Sequence, residues 1–119
     1  MSLTLTLTAL LEQKCRHLDT ALDATEITTY LALIDGWHLA DNKLVRHFAF
    51  GNYYETLAFI NAIAYVIHAE DHHPELVVTY NRCVVKFDTH SVNGGKGGIS
   101  ENDFICAAKV DAIYQQSFA

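Results

Sequence analysis

Three of the seven histidines in this 119-residue chain crowd into one short stretch, His68, His72 and His73, with Asp71 ahead of the pair and Pro74 behind it. His90 stands further along. An imidazole titrates near pH 6.5 or so, so two in different surroundings can supply an acid and a base at neutral pH. A neighbouring carboxylate such as Asp71 favours the protonated form. If the preceding helix continues through this stretch, His68 and His72 are four apart and share a face, with Asn61 and Tyr65 above them. Taken alone, the pair equally fits solvent-facing histidines at a helix end. A zinc site is a third reading, because histidines four apart with acids nearby can hold a metal. No His-Glu-x-x-His order and no cysteine pair at ligand spacing supports it.

The elements that must position these side chains can be read from periodicity and punctuation. Residues 1–24 form an N-terminal extension: Leu3, Leu5 and Leu7 alternate with threonines as in a strand, while Leu3, Leu7, Leu10 and Leu11 also fit one helical face, with a helix from about Ala9. Within it, Cys15-Arg16-His17 reads as ordinary helix surface. Thr25, a good N-cap, opens a helix with Ile27, Tyr30, Leu31 and Ile34 on its apolar side, ending near Gly36. Residues 37–50 read as a hairpin turning at Asp41-Asn42, with Leu44, Phe48 and Phe50 on one side. Asn52 with Glu55 opens the longest helix, Tyr53 to Glu70, which stops before Pro74. A second hairpin turns at Asn81-Arg82; its return strand has Val85 and Phe87 on one face and Lys86, Asp88 and His90 on the other. A flexible loop with four glycines between residues 94 and 98 leads to Ser100, which caps a last helix with Asp103 at the third position.

The order helix, hairpin, helix, hairpin, helix predicts an α+β fold: a four-stranded antiparallel sheet with three helices on one face. The Tyr53–Glu70 helix is apolar nearly all round, so one side should face the core and the other a second subunit, making a homo-oligomer. Trp37, Phe48, Phe50, Phe59 and Phe87 are expected in the core, and His38 and His47 towards solvent.

Bulk properties narrow the function. Eight basic against fourteen acidic residues give a formal charge of -6, which argues against a nucleic-acid binder needing a clustered basic face. Leu57–Ile67, interrupted by Asn61, is too short to span a bilayer, and no secretory signal opens the chain, so no membrane partner is expected. Three cysteines at wide separations suit a reduced, cytoplasmic setting. The glycine loop lacks the order of a phosphate-binding P-loop.

Spacing sharpens the histidines. The series His68-x3-His72-His73-Pro74-x5-Tyr80-x9-His90-x12-Asp103 resembles, position by position, the signature of the pterin-4a-carbinolamine dehydratases. Gly36-Trp37, Phe48-Ala49-Phe50, Thr89-His90 and Gly98-Ile99-Ser100-Glu101-Asn102-Asp103 look like the same family, and the resemblance runs from about residue 25 to 118. It implies a domain over residues 25–119 that dehydrates 4a-hydroxytetrahydropterin, the by-product of aromatic amino acid hydroxylases, to the quinonoid dihydropterin, with no cofactor and no metal. His72, His73 and His90 match the family's three active-site histidines, His72 and His90 being the expected proton-transfer pair and His73 the orienting group. His68, Asp71 and Asp103 fall in supporting positions, Asp103 as helix cap, catalytic group or both. His68 stands where the family often has Glu, so Glu70 or Asp71 is expected to supply the lost carboxylate. The loop 91–98 is longer than in typical members. Related proteins act instead as transcription-factor dimerisation partners or Rubisco assembly factors, so a protein-binding module is the alternative.

Overall fold

The computed structural model describes residues 5–119, which leaves Leu3 of the N-terminal pattern outside the described residues. Their order is α1 (Leu7–Glu12), α2 (Ala24–Leu31), β1 (His38–Ala40), β2 (Lys43–Ala49), α3 (Tyr53–Glu70), β3 (Glu75–Val78), β4 (Arg82–Phe87) and α4 (Glu101–Ser117). All strand pairs are antiparallel, in the sheet order β1-β2-β4-β3. This is the α+β architecture expected, with the short α1 added by the N-terminal segment.

Alternation along the two central strands sets the layers. Leu44 and Phe48 of β2 and Cys83, Val85 and Phe87 of β4 are buried, and they form one cluster with Phe59 and Ile63 of α3 and Phe104, Ile105 and Ala108 of α4. Trp37 and Phe50 complete the expected aromatic core. The opposite sheet face carries His38, Val45, His47, Val77, Val84 and Lys86 around a shallow depression. The two histidines there are exposed, as expected, and their rings stack on each other with centroids 5.9 Å apart.

Local chemistry explains the boundaries. Asp41 (φ 52) and Asn42 (φ 61) both take the left-handed conformation that a two-residue hairpin turn demands, and short polar side chains tolerate it best. Asn52 accepts from the Glu55 N–H at 2.9 Å and starts α3 as expected. The start of α2 differs from expectation. Asp23, not Thr25, is the cap: its carboxylate accepts from the Glu26 N–H at 2.8 Å, and the Glu26 carboxylate accepts from the Asp23 N–H at 3.0 Å. This reciprocal pair satisfies two orphan N–H groups, which Thr25 could not do, since the residue three positions on from it is Thr28 and not an acid.

The end of α3 also differs from the version in which His68 and His72 share a helical face. The helix stops at Glu70, and Asp71 closes it in the left-handed conformation (φ 49, ψ 45). Pro74 lies beyond that stop. His72 therefore leaves the helix axis, while His68 stays on the exposed side of the last turn. The expected surface helix at Cys15-Arg16-His17 is absent too: α1 ends at Glu12, and the following segment is irregular with Cys15 half-buried.

The glycine loop is anchored at both ends. Thr89 and Gly98 exchange two backbone hydrogen bonds (2.8 and 3.0 Å), Val92 is fully buried, and the Asn93 N–H donates to the Asp19 carbonyl at 2.8 Å. Among the described residues no helix is long and apolar enough to cross a membrane.

Gly36 gives a direct test of this framework. It sits at φ +86, and a Cβ there would lie 2.9 Å from Nε of Arg46, whose guanidinium is held by Asp111 at 2.7 Å. Gly36→Ala should cost roughly 1–3 kcal/mol through backbone strain and displacement of that pair. Urea denaturation should show a lower midpoint with an unchanged slope; an unchanged midpoint would contradict the packing described.

Candidate active site

His72, His73 and His90 converge although they come from different connections. His72 and His73 occupy the link between α3 and β3, and His90 follows the end of β4. With Asp71, Asp88, Thr89 and Ser91 they line one cleft of about 230 Å³. A second lobe of about 390 Å³ shares Asp71, His72, Thr89 and Ser91 with the first and is walled by Cys15, Arg16, His17 and Leu18. Two such lobes meeting at one histidine are in the size range of small-molecule sites, roughly 300–1,000 Å³.

The three imidazoles sit in unlike surroundings. The His72 side chain is only 12% exposed, and its ring lies parallel to Phe87 with centroids 5.9 Å apart. Its Nε2 is 2.6 Å from Oδ1 of Asp103. A carboxylate accepts, so this nitrogen carries the proton and Nδ1 is the atom left to exchange one. His73 and His90 are exposed, at 73% and 86%, with Asp71 at 3.4 Å from the first and Asp88 at 3.3 Å from the second.

Asp103 accounts for the difference. Its carboxylate is fully buried at the start of α4. Oδ2 accepts from the Ser100 N–H at 2.8 Å and from the Thr89 hydroxyl at 2.9 Å, and Thr89 shares a 2.6 Å contact with the Ser100 hydroxyl. Oδ1 is then free for His72. The residue is a helix cap and an imidazole partner at once, because a carboxylate has lone pairs for both. Burial pushes the His72 pKa down, but the hydrogen bond and charge of Asp103 outweigh it and hold the pKa above its ordinary 6.5.

The supporting residues sort differently from expectation. Glu70 is buried in the wall of the second lobe, accepting from the Cys15 N–H at 2.8 Å and from Nζ of Lys109 at 2.9 Å. Asp71 lies beside His73 rather than His72. His68 is not among the residues of either lobe, and Tyr80 stacks on Tyr53, 6.2 Å away, well apart from the cleft. Thr89 and Ser91 line both lobes and the N-terminal arm lines the second, and neither composition nor periodicity marks them as part of a site. The arm docks through Asn102, whose Oδ1 accepts from the Arg16 N–H at 3.2 Å and whose Nδ2 donates to the Arg16 carbonyl at 2.6 Å. Arg16 also pairs with Glu101 at 2.6 Å, and the Tyr30 hydroxyl donates to the same carboxylate. No periodicity announces an irregular strap held by an asparagine 86 residues away.

The chain matches known proteins over most of its length. Residues 20–113 match the family model described as pterin 4 alpha carbinolamine dehydratase. A protein of Bdellovibrio bacteriovorus, provisionally named a pterin-4-alpha-carbinolamine dehydratase, is 60% identical over 112 residues, spanning 94% of this chain and 93% of its own. A likewise named protein of Nitrosospira multiformis is 48% identical over 94 residues, or 79% and 80% of the two chains. Among solved structures, the transcriptional coactivator/pterin dehydratase from Brucella melitensis aligns with a TM-score of 0.72 at 32% identity, covering 79% of this chain and 98% of that one.

The His72–Asp103 pair has a pH signature. A raised folded pKa means that the pair's contribution to stability is fully present below the unfolded value near 6.5 and is lost as pH rises through the folded value. The stability difference between wild type and His72→Gln should therefore shrink as pH rises above the ordinary imidazole value of about 6.5. In an NMR titration His72 should have its midpoint above about 6.5; a midpoint below that would contradict the dyad.

Proposed function

The chain belongs to the pterin-4a-carbinolamine dehydratase family, and from that membership we propose that it dehydrates 4a-hydroxytetrahydropterins to the quinonoid dihydropterin by histidine acid–base chemistry. The observation that carries the reading is the convergence of His72, His73 and His90 on one cleft, with His72 alone backed by a buried carboxylate. We assign residues 25–119 to the dehydratase domain and residues 1–24 to an extension that walls the second lobe. All three cysteines are free thiols, which suits the reducing cytoplasm.

Dehydration needs one group to protonate the departing 4a-hydroxyl and another to take the N5 proton. His72 suits the acid, since Asp103 raises its pKa in favour of the charged imidazole and fixes which nitrogen is exchangeable. His90, from a separate connection, is the complementary base, and His73 binds and orients the pterin from the exposed side. Groups so positioned supply about 10²–10⁴-fold, or roughly 3–5 kcal/mol of barrier. That suffices for a reaction that already proceeds slowly in water. Among the described residues no three His, Cys, Asp or Glu side chains are grouped as metal ligands.

A second reading rests on α3. Its outward side exposes Tyr54 (81%), Leu57 and Tyr65 (75%) in a row at helical spacing. We propose that this stripe joins copies of the chain into a homo-oligomer. The Brucella relative is described as a coactivator as well as a dehydratase, so a protein-binding role for the same face stands beside the enzymatic one.

The carbinolamine can be generated in situ and its dehydration followed by absorbance. Wild type should accelerate it, and His72→Ala and His90→Ala should each lose about 10²–10⁴-fold in kcat/KM. Equal rates for wild type and buffer would leave only the binding-module reading. Light scattering should show an assembly that Leu57→Asp with Tyr65→Glu reduces to monomers; a wild-type monomer would refute the role given to α3.

A further inference from the structure

Two cysteines that lie 91 positions apart meet in the fold outside the acid–base machinery. Sγ of Cys15, on the N-terminal arm, is 3.4 Å from Sγ of Cys106, on α4. Cys106 is fully buried, whereas Cys15 is half-buried and forms part of the wall of the cleft lobe beside His72. The third cysteine, Cys83, is buried in the sheet core. The pair therefore has one member that a small solute can reach through the cleft and one that only its partner can reach.

We propose that Cys15 and Cys106 form a peroxide-responsive dithiol site whose oxidation to a disulfide covalently fastens the N-terminal arm to α4 along the wall of the cleft. The chemistry balances with a hydroperoxide as oxidant. The Cys15 thiolate attacks one peroxide oxygen, the O–O bond breaks, and for hydrogen peroxide hydroxide leaves, giving a sulfenic acid on Cys15. The Cys106 sulfur then attacks the Cys15 sulfur. The S–S bond forms, the S–O bond breaks, and the oxygen leaves as water with the Cys106 proton. Two thiols lose two electrons in total and one peroxide becomes two waters.

The surroundings favour this order of events. The contact with the Cys106 thiol, set against the opposing effect of burial, holds the Cys15 thiol below its ordinary pKa, the positive charges of His72 and Lys109 acting against the negative charge of Glu70. Cys83 lacks such a neighbour, and burial pushes it up to about 11. The arm is already docked before any bond forms. The Cys15 N–H donates to Glu70, and Arg16 is bonded on both sides to Asn102, one helical turn before Cys106. Little backbone motion is then needed to bring the sulfurs together.

Wild type at low concentration would be treated with millimolar-range hydrogen peroxide, quenched with an alkylating agent, and mapped by peptide mass. The expected result is a fall from three free thiols to one, a mass loss of about 2 Da, a linked Cys15–Cys106 peptide, and full reversal by dithiothreitol. Closing so long a loop should raise Tm by several degrees, on the order of 5–10 °C. Cys83→Ser should leave the reaction intact, whereas Cys15→Ser and Cys106→Ser should each abolish it. Three thiols persisting, a gain of about 32 Da on Cys15 as sulfinic acid, or links only between chains would overturn the proposal. The wild-type map decides this alone if a cysteine variant does not fold.

Discussion

Asp103 is the charge around which the rest of the site is arranged. A carboxylate taken wholly out of water costs several kcal/mol unless its lone pairs are filled. Here they are filled by three donors from three places: the Ser100 backbone at the start of α4, the Thr89 hydroxyl after β4, and the His72 ring after α3. The positive end of α4 adds a favourable field at the same point. Each donor lies on a connection that would otherwise have little to fix it, so one buried charge sets the relative positions of three loops. His90 inherits its place from this arrangement, since it follows Thr89 directly and Thr89 is bound both to Asp103 and, through its backbone, to Gly98.

A second constraint closes the other side. The arm after α1 has no secondary structure of its own, yet the N–H groups of Cys15 and Arg16 and the Arg16 carbonyl are satisfied by side chains of α3 and α4, namely Glu70 and Asn102. Glu70 is itself neutralised by Lys109. Among the described residues no buried side-chain nitrogen or oxygen lacks a partner, which is what a cleft wall must satisfy to hold its shape without regular structure. The cleft is thus bounded by a rigid dyad on one side and a pinned strap on the other. His73 and His90 are left exposed at the open side, where a ligand can meet them.

Much of the fold could be read from the residues because its signals are local. The Asp41-Asn42 turn, the Asn52 cap, the Ser100–Asp103 pair and the alternation of Val85 with Lys86 are each decided within four positions, and the structure has them as read. The structure departs from the local signals where two of them compete or none exists. Asp23 outcompetes Thr25 as cap because Glu26 can answer it. The left-handed Asp71 ends α3 before His72, separating it from His68, and nothing in the periodicity marks that residue. The three cleft histidines can be gathered from spacing and family resemblance, and the same resemblance marks both Asp71 and Asp103 as supporting carboxylates. Which of the two meets His72 is not a local property: Asp103, 31 positions away, holds it at 2.6 Å. The contact of Cys15 with Cys106 was equally hidden, since it depends on an irregular arm folding back across α4.

The role proposed for Asp103, raising the His72 pKa and orienting the ring for proton transfer, is tested most directly by the pH–rate profile of Asp103→Asn. An amide can still fill the cap and contact the ring but brings no negative charge, so the variant should fold while its His72 titrates lower. The limb of the kcat/KM profile that reports loss of the acid should move to lower pH, and the rate near pH 8 should fall by roughly 10-fold or more for each unit of that shift. A folded Asp103→Asn protein with wild-type rate and an unmoved profile would contradict the account.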